Sequence, residues 1–303
     1  MATTVGSGRH TFEVCEDWAR VPEGWTAPMA DVAVDSVDRV YGFNRGEHPV
    51  IVFDRDGSYL FSWGESLFAF PHAISVDRED NVWIVDRNNG QVLKFTSEGR
   101  LLMTIGEKGY RSDTGADSSS FDSSSYKSVT HGGEPFNMPA GVATSPSGDI
   151  FVADGYANCR VHRFASNGKH LLSWGDPGSG PGQFMLPHGL WVDGKGRVLV
   201  ADRENDRVQV FTEDGELVAV WEAELIGPAG FYVDGDDVAY VPEHNGGFFS
   251  VLSAEGELLA RWGSEASLTC HGAAGDSQGA VYFVQRVAGV EGRRIVKYVR
   301  KAS

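Results

Sequence analysis

Five segments of this chain can be laid over one another: VIVFDRDGSYLFSWG, VLKFTSEGRLLMTIG, VHRFASNGKHLLSWG, VQVFTEDGELVAVWE and FSVLSAEGELLARWG. A unit that recurs every few tens of residues cannot bury its apolar face alone, so it must stack on its own copies. Each segment has an apolar run, a few polar residues, a glycine and a second apolar run that often ends in Trp-Gly. That is hairpin chemistry, because Asp, Asn and Gly tolerate left-handed backbone. The hairpin glycines are Gly57, Gly99, Gly168, Gly215 and Gly256, with separations of 42, 69, 47 and 41 residues. A second column precedes the hairpins: APMADVAV, FPHAISVD, MPAGVATS, LPHGLWVD, GPAGFYVD and TCHGAAGD. It makes six units, and alternating runs such as NVWIVD and RVLVAD follow each. Each unit reads as four short antiparallel strands. The predicted fold is therefore all-β, a six-bladed β-propeller occupying residues 1–303 as a single domain.

The sixth unit has material for only three strands before the chain ends. The early segment HTFEVCEDW has strand character, so Thr11–Cys15 is expected to supply the missing outer strand, close the ring and hide an edge. The 69-residue interval contains an insertion at about 109–134, GYRSDTGADSSSFDSSSYKSVTHGGE. Its Ser/Asp/Gly-rich composition reads as a solvated loop between blades 2 and 3. The other reading is a lid over one face.

Composition excludes several classes. Hydrophobic residues make up 41% of the chain, enough to bury a core. No apolar run is long enough to span a membrane. The charge balance of 26 − 42 = −16 repels phosphate backbones and anionic lipid, so neither nucleic acid nor a membrane is expected as partner. Three widely spaced cysteines, Cys15, Cys159 and Cys270, form no disulfide framework, and the opening MATTVGSGRH shows no signal peptide. Both features point to the cytoplasm.

The innermost strand of a propeller blade lines the central axis, so equivalent residues form a ring. Here that ring reads Met29, His72, Ala140, His188, Ala229, His271. Histidine occupies every second blade, which directs three imidazoles inward roughly 120° apart. Repeat histidines that merely pack would show no such alternation. Three neutral imidazoles with an open fourth position are the catalytic arrangement of zinc, and other divalent metals are possible by ligand type. Cys270 is a weaker candidate for a fourth ligand, since neighbours on a strand face opposite sides. The second strand of each blade returns to the same rim. It brings Arg45, Arg87, Tyr156, Arg203, His244 and Arg286 near the histidines, a set suited to a small anionic substrate. For Arg87 and Arg286 a surface or inter-blade ion pair is the expectation. Asp86, Asp154 and Asp202 recur in one column, which argues for a structural cap rather than chemistry.

These residues resemble those of NHL-repeat propellers, and in particular of the peptidyl-α-hydroxyglycine α-amidating lyases. That family holds zinc through three axial histidines. Its PHG-like turn resembles Phe70-Pro71-His72-Ala73-Ile74 and Leu186-Pro187-His188-Gly189-Leu190, and its third ligand is similar to His271-Gly272. The tyrosine motif resembles Gly155-Tyr156-Ala157-Asn158-Cys159-Arg160-Val161. The family's ADREN is intact as Ala201-Asp202-Arg203-Glu204-Asn205, and its first-blade arginine resembles Asn44-Arg45-Gly46. The resemblance implies metal ligands His72, His188 and His271. It also implies catalytic roles for Tyr156, Arg45 and Arg203: a proton carrier, a carboxylate binder and a group that biases the tyrosine. Two departures stand out. The family's disulfide cysteine after the tyrosine is Ala157 here. Its aspartate after the third histidine, linked to a structural calcium, is Gly272, which makes a calcium site doubtful, although backbone carbonyls near Val32 and Ile74 match its other ligands.

The sequence thus points first to a zinc-dependent lyase that cleaves a C–N or related C–X bond of an N-acyl hemiaminal or small α-hydroxy compound. A zinc-dependent hydrolase of a small ester, lactone or amide uses the same donor set. A non-catalytic NHL binding module for protein or RNA is the third reading.

Overall fold

A computed structural model describes residues 3–264, 269–287 and 289–301. Six antiparallel sheets succeed one another along the chain. Blade 1 consists of Met29–Val34, Val40–Asn44, Val50–Phe53 and Tyr59–Trp63; blade 2 of Pro71–Val76, Val82–Asp86, Gln91–Phe95 and Leu101–Ile105. Blade 3 is Gly141–Thr144, Ile150–Asp154, Arg160–Phe164 and His170–Trp174; blade 4 is Pro187–Val192, Val198–Asp202, Arg207–Phe211 and Leu217–Trp221. Blade 5 runs from Tyr232–Val233 through Ala239–Glu243 and Phe248–Leu252 to Leu258–Gly263.

Blade 6 closes as the sequence led us to expect, with one addition. Ala273–Gly275, Val281–Arg286 and Arg293–Arg300 pair in order, and His10–Cys15 lies antiparallel to Arg293–Arg300 with Val14 opposite Tyr298. Thr4–Ser7 folds back on His10–Cys15 as a fifth strand. The joint is a packed one, because Phe12 is fully buried among Tyr240, Phe249 and Phe283. Replacing a buried phenylalanine with alanine costs about 3–5 kcal/mol. Phe12→Ala should therefore lower the melting temperature by on the order of 10 °C. Deleting residues 1–16 should cause aggregation by exposing a sheet edge. A melting curve unchanged in either variant would show that the terminus is not part of the closure.

The cores lie between blades rather than within them. Phe53 and Val284 share a cluster across blades 1 and 6, Phe43 and Ile84 across blades 1 and 2, and Phe151 and Val200 across blades 3 and 4. The repeated glycine and tryptophan are two halves of one such contact. A side chain at Gly99 would meet the Trp63 ring at 2.6 Å, and one at Gly256 would meet Trp221 at 2.2 Å. Both glycines also have positive φ, 87° and 85°, which side-chain-bearing residues adopt at a cost. The hairpin of one blade thus seats on the tryptophan of the blade before it.

The acidic column caps backbone, as its recurrence suggested. Asp86 accepts from Ala69 N–H and Phe70 N–H at 2.8 and 2.9 Å, Asp154 from Asn137 N–H at 2.7 Å, and Asp202 from Met185 N–H at 2.8 Å. These caps pin the loops that lead into the inner strands. Those strands carry β-bulges where the ring residues fall: the register jumps between Pro71 and Ala73 and between Pro187 and Leu190. A bulge re-aims one side chain out of the alternation, and here it leaves His72 and His188 free of the ladder.

Candidate metal and catalytic site

The three histidines meet on the axis. Their ring centroids are 5.0, 5.0 and 4.8 Å apart, and one ligand nitrogen from each lies within 4.8 Å of the others. Two are oriented by the blade that follows. His72 Nδ1 lies 2.6 Å from the Ala140 carbonyl, and His188 Nδ1 lies 2.6 Å from the Ala229 carbonyl. A carbonyl only accepts, so both rings carry the proton on Nδ1 and present the Nε2 lone pair inward. Burial holds all three imidazoles well below their ordinary pKa, and the charges of neighbouring arginines add to it. They are neutral, as metal ligands must be. His271 Nδ1 is buried with no hydrogen-bond partner among the described residues. Convergent neutral imidazoles with ligand nitrogens within 4.8 Å of one another fit a zinc ion.

Tyr156 stands over this triangle. Its hydroxyl lies 3.1 Å from His72 Nε2 and 3.2 Å from His188 Nε2, and it accepts from Arg203 Nη1 at 3.3 Å. Arg203 is oriented in turn by Glu204, whose Oε1 accepts from its Nε at 2.8 Å. Arg45 anchors its Nε on the Pro71 carbonyl at 3.1 Å and lies over Phe70. The enclosing walls and the charge of Arg293 push the Arg45 pKa down to about 10. His244 hydrogen-bonds the Cys270 carbonyl at 3.2 Å, and burial with the Arg203 charge lowers it to about 4.

Two expectations change, those for Arg87 and Arg286, while Cys270 faces away from the histidines as strand alternation suggested. Arg87 makes no ion pair with a described residue. It is buried, stacks on Phe70 and Tyr156 at 4.1 and 4.7 Å, and donates to the Phe121 carbonyl at 3.3 Å. Arg286 is exposed and bonds Thr269 Oγ1 at 3.3 Å instead of a carboxylate. Cys270 is not a ligand: its side chain belongs to the core between blades 5 and 6, where burial pushes the thiol pKa up. The insertion is exposed over most of its length, as its composition suggested, but it is also tied down as a strap. Thr114 Oγ1 donates to the Ala157 carbonyl at 2.7 Å and Tyr126 Oη to Glu204 Oε2 at 3.0 Å, which ties it across blades 3 and 4 next to Tyr156.

A side chain at Gly272 would meet Asp31 Oδ1 at 1.8 Å, so a carboxylate from blade 1 fills the space beside the third histidine. Asp31 already accepts from Val32 N–H and Ile74 N–H at 2.9 and 3.0 Å, and burial raises its carboxyl to about 7. A carboxylate thus stands beside the third histidine after all, supplied by blade 1 and set against the Val32 and Ile74 backbone. Asp31 and Arg293 were missed in the sequence. Asp31 sits among alternating apolar residues, where only the bulge turns it inward. Arg293 has a visible signal, since Gln285 and Arg294 are separated by eight residues, where Asp86 and Gln91 in blade 2 are separated by four.

The fold and the repeat define the class: the chain is a six-bladed β-propeller, and the NHL repeat matches its residues 68–95, 136–164 and 184–211. Its sequence is similar to that of amidating lyases. It is 34% identical over 184 residues to peptidyl-α-hydroxyglycine α-amidating lyase 1 of Drosophila melanogaster, an alignment covering 56% of this chain and 30% of that one. It is 33% identical over 217 residues to the human (Homo sapiens) NHL repeat-containing protein 3, covering 67% of this chain and 58% of that protein. The chain thus spans less than two thirds of either relative. Among solved structures, a gluconolactonase from Xanthomonas campestris superposes with a TM-score of 0.67 at 14% identity, covering 96% of this chain and 90% of that one, which is a likeness of fold. Relatives of this chain are enzymes. No helix among the described residues is long and apolar enough to cross a membrane.

Proposed function

We propose that this chain is a zinc-dependent lyase that breaks the C–N bond of a small N-acyl hemiaminal bearing a carboxylate. The observation that carries this reading is the Tyr156 hydroxyl held between two histidine nitrogens and the Arg203 guanidinium. The relatives named as amidating lyases support it. Zinc bound by His72, His188 and His271 would supply a Lewis acid for a substrate oxygen. The chain's own groups do the rest. Arg45 offers its terminal nitrogens to the substrate carboxylate. Tyr156 takes the proton from the substrate hydroxyl, and the electron pair of that O–H bond becomes the second bond of the new carbonyl. The C–N bond breaks, and the departing amide nitrogen receives the proton. Arg203 holds the phenol oxygen in place and favours its charged form during the transfer. Nothing is oxidised and no water is consumed.

That balance provides the test. With an N-acyl-α-hydroxyglycine in ¹⁸O-water, the amide product should carry no label in its acyl oxygen. Hydrolysis would release an acid labelled there, and its appearance would replace the lyase with the hydrolase reading. Arg45→Ala should mainly raise KM for carboxylate substrates, with a smaller change in kcat.

A further inference from the structure

The arginines around the histidines divide by what holds them. Arg203 has a carboxylate, Glu204, and Arg87 is wedged between rings. Arg45, Arg286 and Arg293 line one cavity of about 260 Å³ with Met29 and His244. None of these three makes a direct ion pair with a described carboxylate, the buried Asp31 acting on Arg293 without contact, although acidic residues outnumber basic ones 42 to 26 in the chain. Each is anchored the same way. Arg45 Nε donates to the Pro71 carbonyl at 3.1 Å, Arg286 Nε to Thr269 Oγ1 at 3.3 Å and Arg293 Nε to the Met29 carbonyl at 3.3 Å. Anchoring through Nε fixes the plane of a guanidinium and leaves its two terminal nitrogens for a ligand.

The backbone makes the arrangement more pointed. In blades 2 and 4 the hairpin ladder ends where the acidic column meets its partner, at Asp86–Gln91 and Asp202–Arg207. In blade 6 the ladder continues one pair further and sets Arg286 directly opposite Arg293. Like charges directly opposed across a strand pair destabilise it. An anion between them turns that repulsion into two charge-assisted contacts. The Met29 carbonyl has also been taken from another use. His72 and His188 each bond the carbonyl of the next ring residue, Ala140 and Ala229, whereas the equivalent carbonyl for His271 is that of Met29, which accepts from Arg293. Arg293 therefore stands directly beside the third histidine.

We propose that Arg286 and Arg293 form a second anion subsite beside Arg45, so that the preferred substrate is a small dicarboxylate. One carboxylate flanks the reacting carbon, and the other sits on the acyl part. The assignment of the first carboxylate to Arg45 rests on the reading above. The cavity lies at the small end of ligand sites, which run to roughly 300–1,000 Å³, and this suits a compact dianion better than a peptide tail.

The test uses unreactive probes, N-acetylglycine and N-succinylglycine, which lack the hydroxyl and differ by one carboxylate and the methylene that carries it. They are titrated calorimetrically into the zinc-loaded protein. A hydrogen bond to a charged group contributes about 1.5–3 kcal/mol, so N-succinylglycine should bind about 10–100-fold tighter. Arg293→Gln should remove most of that preference while N-acetylglycine binds within about threefold of its wild-type affinity. Arg286→Gln, at an exposed position, gives the same reading should Arg293→Gln prove unstable on melting. A preference below tenfold in the wild type, or one retained in both variants, overturns the proposal. A preference that behaves as expected in a protein that leaves α-hydroxyglycine derivatives intact would remove the lyase reading and leave the subsite standing.

Discussion

Tyr156→Phe is expected to lower kcat by about 10²–10⁴-fold, the usual loss when a general acid–base group is removed, while one zinc per chain remains bound. The change deletes only an oxygen. That oxygen touches His72, His188 and Arg203 at 3.1, 3.2 and 3.3 Å. The ring stays, and with it the packing against Met138, Ala157 and Leu186 and the stacking of Arg87. Substrate carboxylate binding belongs to Arg45, so KM should move little. Arg203→Gln should follow the same pattern more weakly, because it acts through the phenol. The measurement is kcat and KM on N-acyl-α-hydroxyglycines, with metal content determined on the same sample. Full activity in Tyr156→Phe would take the phenol out of the mechanism and favour the hydrolase.

Most of this site was legible because a repeat turns the sequence into a coordinate system. Once the inner strands were aligned, His72, His188 and His271 occupied one ring by counting alone, and the return of the second strand placed Arg45, Tyr156 and Arg203 on the same rim. Closure by the N-terminal strand was legible for the same reason, since a three-stranded sixth unit leaves an edge. What the repeat could not show lies where its register slips. Arg293 enters on an extra ladder pair, and Asp31 turns inward at a bulge between Met29 and Asp31. Arg87 was misjudged because its column holds both exposed and buried arginines. Only the strap, whose Phe121 carbonyl meets it, buries the one in blade 2. Composition showed that strap as solvated but not as tied down. Its anchors, Thr114 and Tyr126, are two residues in a Ser/Asp/Gly background, too few to register as a pattern.

Replacing His72, His188 or His271 singly with alanine should abolish stoichiometric zinc binding and activity together, without loss of the β-sheet spectrum. The fold survives because the six inter-blade clusters that hold the ring contain none of the three. Acid supplies a second, metal-free readout. Burial keeps the folded pKa of each imidazole well below 6.5. Above pH 6.5 both the folded and the unfolded chain carry these rings neutral, so they make stability insensitive to pH there. As pH falls through 6.5 the unfolded chain takes up protons that the folded chain refuses. Stability then declines by up to about 1.4 kcal/mol per pH unit for each histidine, or about 4 for three. His244 and His10, also lowered by burial, add to this decline, and the Asp31 carboxyl, raised to about 7 in the fold, opposes it. The zinc-free protein should therefore melt at lower temperature at pH 5 than at pH 6.5, and the share of each ring is read from its own replacement. Added zinc, which binds only the neutral rings of the folded state, should delay that decline. His271→Ala should lessen the metal-free acid slope by up to about 1.4 kcal/mol per pH unit, because one linked proton is gone. A metal-free acid slope that none of the three single histidine replacements reduces would mean that the rings protonate in place. The inward-facing lone pairs assigned to them, and the zinc site built on those lone pairs, would then be wrong.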